Sequence, residues 1–252
     1  MRAPPGRPWS LSPSVPPPTL FWGRVPPATA PTEALTRRTA TEFTSAARRT
    51  QSTAARHTLV HGLAHLGLLP DPAGATHRLG LAGPGAVRPV LWDDGPLRPA
   101  VQFSLAHTAH RVVVAVRYHN DEPGLTIGLG VDAEDDWASA ERNLHRFGTP
   151  GELSALAAAC GTVRPLHLWC VKEAVAKATG LGFHVPVRRY RVRPGDGTPQ
   201  QLSVEIDEFA PVPNSSYRAR VRVGTRPTRP PTAWAVAELP LCPLADERSN
   251  RR

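Results

Sequence analysis

The run Arg111-Val-Val-Val-Ala-Val-Arg-Tyr118 constrains the fold more than any other stretch of the chain. Its apolar residues occupy both alternating faces of an extended segment, the pattern of a strand buried inside a sheet. Around it lie shorter strand-like segments at 20–25, 78–81, 87–92 and 101–105. Helical periodicity runs from Ala34 toward Phe43 and, more strongly, over 46–68, where Leu59, Val60, Leu63, Leu66 and Leu68 form an apolar stripe. After a polar turn at 119–124 come a strand at 126–134 and helices at 138–146, 150–159 and 166–179. Strands at 187–192, 202–206, 217–223 and 233–239 complete the series. Gly180 and Gly182 supply the stop signal for the last helix. The reading is an α+β chain of two similar-sized halves, each an antiparallel-capable set of strands with helices, and no close sequence repeat between them. The boundaries are a Pro-rich leader at 1–18, an N-terminal half at 19–124, a C-terminal half at 125–243 and a flexible tail at 244–252. In 217–223 apolar or aromatic residues alternate with arginine, which predicts a strand whose arginines face solvent.

Composition narrows the function. The 252 residues carry a formal charge of +9, which predicts an anionic partner: nucleic acid, a polyphosphate ligand or an acidic protein. No apolar run approaches the roughly 18–20 residues needed to cross a bilayer. The N-terminal segment is Pro-rich rather than apolar, unlike a secretory signal. Three cysteines, Cys160, Cys170 and Cys242, lack CxxC spacing and read as reduced thiols of a cytoplasmic protein. Aromatics are 6%, and no basic stretch is interleaved with them as a single-strand stacking platform would be. Of the 30 basic side chains only Lys172 and Lys177 are lysine. A chain that uses arginine everywhere else has a reason for two lysines five residues apart, and a compact ammonium acting as a point charge on phosphate is such a reason.

Three constellations could carry chemistry. In Ile127-Gly-Leu-Gly-Val-Asp-Ala-Glu134, strand alternation puts Gly128, Gly130, Asp132 and Glu134 on one face. Paired carboxylates of this kind suit Mg²⁺, and the glycines leave space for a ligand or another backbone. The bland alternative is a strand end running into the acidic turn Asp135-Asp136. In the helix Leu166–Thr179, residues Trp169, Glu173 and Lys177 form one stripe, with Lys172 on its flank; the bland alternative is a solvated Glu–Lys pair. In Phe103-Ser-Leu-Ala-His-Thr-Ala-His110, His107 lies in a small-residue turn whose backbone N–H groups could form an anion nest. Together these describe a Mg²⁺–polyphosphate site with Asp132, Glu134 and Glu173 near the metal and Lys172, Lys177 and His107 on phosphates. No GxxxxGK[ST] loop is present.

Three of these segments follow a known order. Gly130-Val-Asp132-Ala-Glu134, Trp169-Cys-Val-Lys172-Glu173-Ala-Val-Ala-Lys177-Ala-Thr-Gly180-Leu-Gly182 and Phe103-Ser-Leu-Ala106-His107-Thr108 resemble the motifs of Sfp-type 4′-phosphopantetheinyl transferases. Arg146-Phe147 and Glu152 resemble a further motif between the first two. The resemblance spans roughly 20–239. It implies a pseudo-twofold monomer of two α+β halves with coenzyme A in the cleft. It implies Mg²⁺-dependent transfer of 4′-phosphopantetheine to a serine of an apo acyl or peptidyl carrier protein, releasing 3′,5′-ADP. It implies metal ligation by Asp132, Glu134 and Glu173, catalysis by Glu173 and Lys177, and coenzyme A contacts from Lys172, Lys177, His107, Arg88 and Arg56. Carrier domains are acidic, so a basic protein would be steered toward them. Ala106 stands where the family carries Ser, Cys170 where it carries Ser or Thr, and Arg88 where it carries Lys. The rival readings are a non-catalytic coenzyme A- or carrier-binding relative and a basic nucleic-acid-binding protein.

Overall fold

The computed structural model describes residues 17–26, 45–68, 79–81, 89–91, 101–118, 126–161, 163–181, 185–194, 201–206 and 215–241. The expected helix at 34–43, most of the leader, the tail, Arg88, Gly182 and Cys242 lie outside them. The described elements are α+β, with antiparallel sheets packed against helices. Strands β1 (Thr19–Arg24), β4 (Val101–His107) and β5 (Arg111–Tyr118) form one sheet in the order β1-β5-β4. A second sheet contains β6 (Thr126–Glu134), β7 (Tyr190–Pro194), β8 (Gln201–Ile206), β9 (Ser215–Arg226) and β10 (Thr232–Leu241), ordered β6-β10-β9-β8-β7. Strands β2 (Leu79–Leu81) and β3 (Pro89–Leu91) make a two-stranded ribbon. The helices are α1 (Ala46–His65), α2 (Trp137–Phe147), α3 (Pro150–Cys160) and α4 (Pro165–Thr179).

The all-apolar strand is the reason for the layering. Val112, Val114 and Val116 of β5 pack with Ala54, Ala55, Leu59, Val60 and Leu63 of α1. Val113 and Ala115, on the opposite face, pack with Leu129, Val131 and Ala133 of β6 and Val236 of β10. The four side chains from Val112 to Ala115 are all 0% exposed. At about 1.5–3 kcal/mol for each fully buried valine-sized side chain, this strand joins α1, its own sheet and the second sheet into one stack. The far face of the second sheet is covered by α4, whose Val171, Ala174, Val175 and Ala178 meet Ala233, Ala235, Ala237 and Leu239 of β10.

Two sequence expectations are corrected here. The segment at 187–192 opens as a 3₁₀ turn (Val187–Arg189) before β7 begins. Two of the alternating arginines of β9, Arg220 and Arg222, do not simply face solvent. That face looks toward the first sheet, where Arg222 donates to the carbonyl of Pro18 at 2.6 Å and Arg226 stacks over Trp22 at 4.7 Å. Arg117 of β5 forms a buried ion pair with Glu238 of β10, both side chains 1% exposed, and Arg220 stands 4.0 Å from the same carboxylate. Burial, followed by repulsion from Arg220 and Arg222, lowers the Arg117 pKa to about 10. One carboxylate thus holds two guanidinium groups at the junction of the sheets, with the charge of Arg222 acting on the first of them.

Replacing Glu238 with Gln leaves those cations facing one another, and the expected loss is about 3–5 kcal/mol of unfolding free energy. Replacing Glu205, whose pair with Arg193 is exposed, is expected to cost no more than about 1 kcal/mol. Urea denaturation of both variants measures the contrast, and equal losses would remove Glu238 from this role.

Candidate active site

Helix α4 starts with Pro165 at its first position, where a missing N–H costs nothing, and stops at Gly180, which adopts the left-handed conformation (φ 74°). Within it only Trp169, Lys177 and Thr179 escape full burial. The helix lies on β6 with backbone almost touching backbone. A Cβ at Gly130 would fall 1.8 Å from the carbonyl oxygen of Ala174. The space left by this glycine is therefore filled by the helix, one of the two occupants its position allowed.

Asp132 shares that face of β6 and meets α4 one turn beyond the contact. Lys177 donates to Asp132 Oδ1 at 2.7 Å, to the carbonyl of Val131 at 3.0 Å and to the carbonyl of Leu105 at 3.5 Å. These bonds fasten α4 to the free edge of β6 and to β4 of the other sheet. The hydroxyl of Ser104 closes the same edge by accepting from the N–H of Val131 at 3.0 Å.

Three carboxylates converge on this point. Burial first, then the charges of Asp132, Asp135 and Glu173, raise the Glu134 pKa to about 8 against the opposing pull of Lys177. Burial and then Asp132 raise Glu173 to about 7. For Lys177, burial disfavours the charged form, but Asp132 and Glu173 outweigh it and the net shift is upward. Negative charge therefore exceeds what one ammonium can offset. Asp132 Oδ2 and Glu173 Oε1 are buried and have no hydrogen-bond partner. Hard, uncompensated carboxylate oxygens suit a divalent cation such as Mg²⁺. Among the described residues, however, no three His, Cys, Asp or Glu side chains already stand in a metal-holding arrangement. The chemistry of Asp132, Glu134 and Glu173 fits the ion, and in this conformation Lys177 is the nearest positive charge.

The remaining expected residues fall in different places. His107 ends β4 beside this cluster, and its pKa is lowered by burial, then by Lys177 and by Arg48. Its turn is not an open anion nest, because the N–H groups of His110 and Arg111 both donate to the Thr108 hydroxyl at 3.1 Å. Arg48, at the start of α1, is a cation that sequence reasoning missed. No local motif marks it, and its place follows from Gln51 bonding the carbonyl of Thr108 at 3.2 Å. Arg56 is 6% exposed and buried within α1.

Lys172 requires revision as a phosphate contact. Its ammonium is 0% exposed, 2.7 Å from Glu152 and 2.7 Å from the carbonyl of Phe147. Glu152 also accepts from the N–H of Val192 at 3.0 Å and from the Thr149 hydroxyl at 3.2 Å. Thr149 and Glu152 thereby cap α3 in the S/T-x-x-E manner while the same carboxylate anchors α4. Phe147 packs edge-on against Trp169, ring centroids 5.2 Å apart.

Residues 128–225 match a family model, that of the 4′-phosphopantetheinyl transferase superfamily. The matched stretch contains Asp132, Glu134, Glu152, Lys172, Glu173 and Lys177, and it excludes His107, Arg56 and the whole first sheet. No curated protein matches the chain. Among the described residues no helix is long and apolar enough to cross a membrane.

The raised carboxyl values have a direct consequence. Glu134 and Glu173 bind protons more tightly folded than unfolded, so stability falls as pH rises from the ordinary carboxylate range through about 7 and about 8. His107 and His167, whose pKa values are lowered, act oppositely but only below about pH 6.5. In chelator, the melting temperature is therefore expected to fall between about pH 7 and about pH 8.5, and Glu134→Gln should flatten that fall. Added Mg²⁺ should raise the melting temperature more at the higher pH, where it no longer competes with protons. A Mg²⁺ effect independent of pH would argue against these carboxylates as its ligands.

Proposed function

We propose that this protein is an Sfp-type 4′-phosphopantetheinyl transferase, acting as a cytoplasmic monomer on coenzyme A and an apo acyl or peptidyl carrier protein. The observation that carries the reading is the convergence of Asp132, Glu134, Glu173 and Lys177 inside the segment that matches the superfamily, with two buried carboxylate oxygens left without partners. Strand order supports the two-halves reading. In each sheet the first strand in sequence lies beside the last, and the last beside the penultimate (β1-β5-β4 and β6-β10-β9).

In this reading Asp132, Glu134 and Glu173 hold Mg²⁺, which supplies charge neutralisation on the pyrophosphate when bound. The serine oxygen of the carrier forms a bond to the phosphorus that bears the pantetheine arm. The bond from that phosphorus to the bridging oxygen breaks, and 3′,5′-ADP leaves with the bonding pair. Glu173 takes the serine proton, a role suited to a carboxylate whose pKa is raised to about 7. Lys177 offsets charge on the leaving oxygen from a fixed position set by Asp132 and two carbonyls. His107 and Arg48 stand where a further phosphate would be met.

Incubation with coenzyme A, Mg²⁺ and a panel of apo carriers, read by intact mass, tests the proposal. One added phosphopantetheine per carrier is expected. Glu173→Gln and Lys177→Arg should each slow transfer by at least about 100-fold. The arginine retains charge, but its planar fork cannot reproduce three bonds made by one nitrogen. No transfer to any carrier would refute the reading, and near-normal turnover by Lys177→Arg would remove the case for a compact ammonium.

A further inference from the structure

The side of α1 turned away from the core carries histidines at three successive helical repeats, His57, His61 and His65. On the buried side Ala54, Ala55, Leu59, Val60 and Leu63 pack against β5, so the backbone beneath these rings is held in place. His61 and His65 are exposed, and His57 is half-buried. The three rings are not placed alike. Those of His57 and His61 lie nearly parallel, 20° apart with centroids separated by 6.4 Å. His65 instead meets Phe21 of β1 edge-on, at a centroid distance of 5.9 Å. Helix α1 contains no aspartate, glutamate or cysteine, so imidazole is the only strong metal-ligating group along it.

Side chains at i and i+4 share a helix face with Cβ atoms about 5–6 Å apart, close enough for one nitrogen of each imidazole to reach a common first-row cation at about 2.0–2.1 Å. The same spacing supplies the two histidines of helical H-E-x-x-H zinc sites. Here Thr58 stands in place of the glutamate, and its hydroxyl donates to the carbonyl of Ala54 at 2.8 Å, so the pair offers ligation without a general base. We propose that His57 and His61 form a binding site for a divalent transition-metal ion of the imidazole-preferring class, Zn²⁺, Ni²⁺ or Cu²⁺, with water completing its shell. Neutral nitrogen donors favour these ions over Mg²⁺, whereas the carboxylates of Asp132, Glu134 and Glu173 suit Mg²⁺, so the two sites differ in preference. His57 has a further interaction besides its stacking on His61. A ligating imidazole habitually holds a second partner through its other ring nitrogen, and the site does not require His57 to be otherwise unengaged. Binding here does not depend on the transferase reading.

The test uses the untagged full chain, titrated calorimetrically with Zn²⁺ in a large excess of Mg²⁺. His57→Ala and His61→Ala are each expected to weaken one equivalent of Zn²⁺ binding by at least about tenfold, and His65→Ala to leave it within about twofold. Alanine has the higher helix propensity at each position, so α1 is retained in the variants, which far-UV circular dichroism checks. In the wild type, stoichiometric Zn²⁺ should shift the imidazole resonances of His57 and His61 and leave those of His65 nearly in place. The same equivalent should persist in Asp132→Asn, where the carboxylate cluster is disabled. Unchanged binding in His61→Ala overturns the inference. A loss that follows His65→Ala but not His57→Ala also overturns it, because the ion would then sit elsewhere on the helix. Disappearance of all Zn²⁺ binding in Asp132→Asn would assign the ion to the carboxylates and overturn it equally.

Discussion

The contact between α4 and β6 at Gly130 sets the position of everything chemical in this molecule. With no side chain between them, the Ala174 carbonyl comes down onto the strand, and the next turn brings Lys177 to the strand edge. Asp132 is two residues along β6 from the same glycine, so one approach fixes the Asp132–Lys177 pair and the neighbouring Glu173. A bulkier residue at Gly130 would separate α4 from the sheet and disperse these groups without changing any of them.

The charges are arranged in two ways. At the sheet junction one carboxylate, Glu238, faces an excess of guanidinium groups, whereas at α4 one ammonium, Lys177, faces an excess of carboxylates. The first imbalance lies between the two sheets, where Arg117 and Glu238 are buried. The second leaves two carboxylate oxygens without partners beside His107, the kind of imbalance that a bound cation would relieve. Three arginines that composition alone would assign to a diffuse basic surface, Arg117, Arg220 and Arg222, lie instead at this junction.

The two lysines separate in the same way. Lys177 lies among the carboxylates, while Lys172 is an internal strut joining α3, α2 and α4 through Glu152 and Phe147. Their spacing in sequence identified a helix with two unusual cations, but a helical stripe does not reveal which flank another element will cover. The buried strand, the strand–helix order and the shared face of Gly130, Asp132 and Glu134 were legible, because periodicities of two and 3.6 residues report faces directly. The β9 arginines were misread because alternation separates two faces without naming what each one meets. The Thr108 hydroxyl satisfied the turn that looked like an anion nest. Arg48 was invisible because it lies almost sixty residues from His107 and reaches it only through the packing of α1.

In the proposed reaction Asp132, Glu134, Glu173 and Lys177 together hold the pyrophosphate of coenzyme A with a divalent cation. Substituting Mn²⁺ and recording the ³¹P spectrum of bound coenzyme A tests it most directly. The account predicts strong paramagnetic broadening of the pyrophosphate resonances by the wild type, and its loss in Asp132→Asn with the fold intact by circular dichroism. Pyrophosphate broadening that survives in the variant, or that never exceeds that of Mn²⁺ and coenzyme A alone, would contradict it.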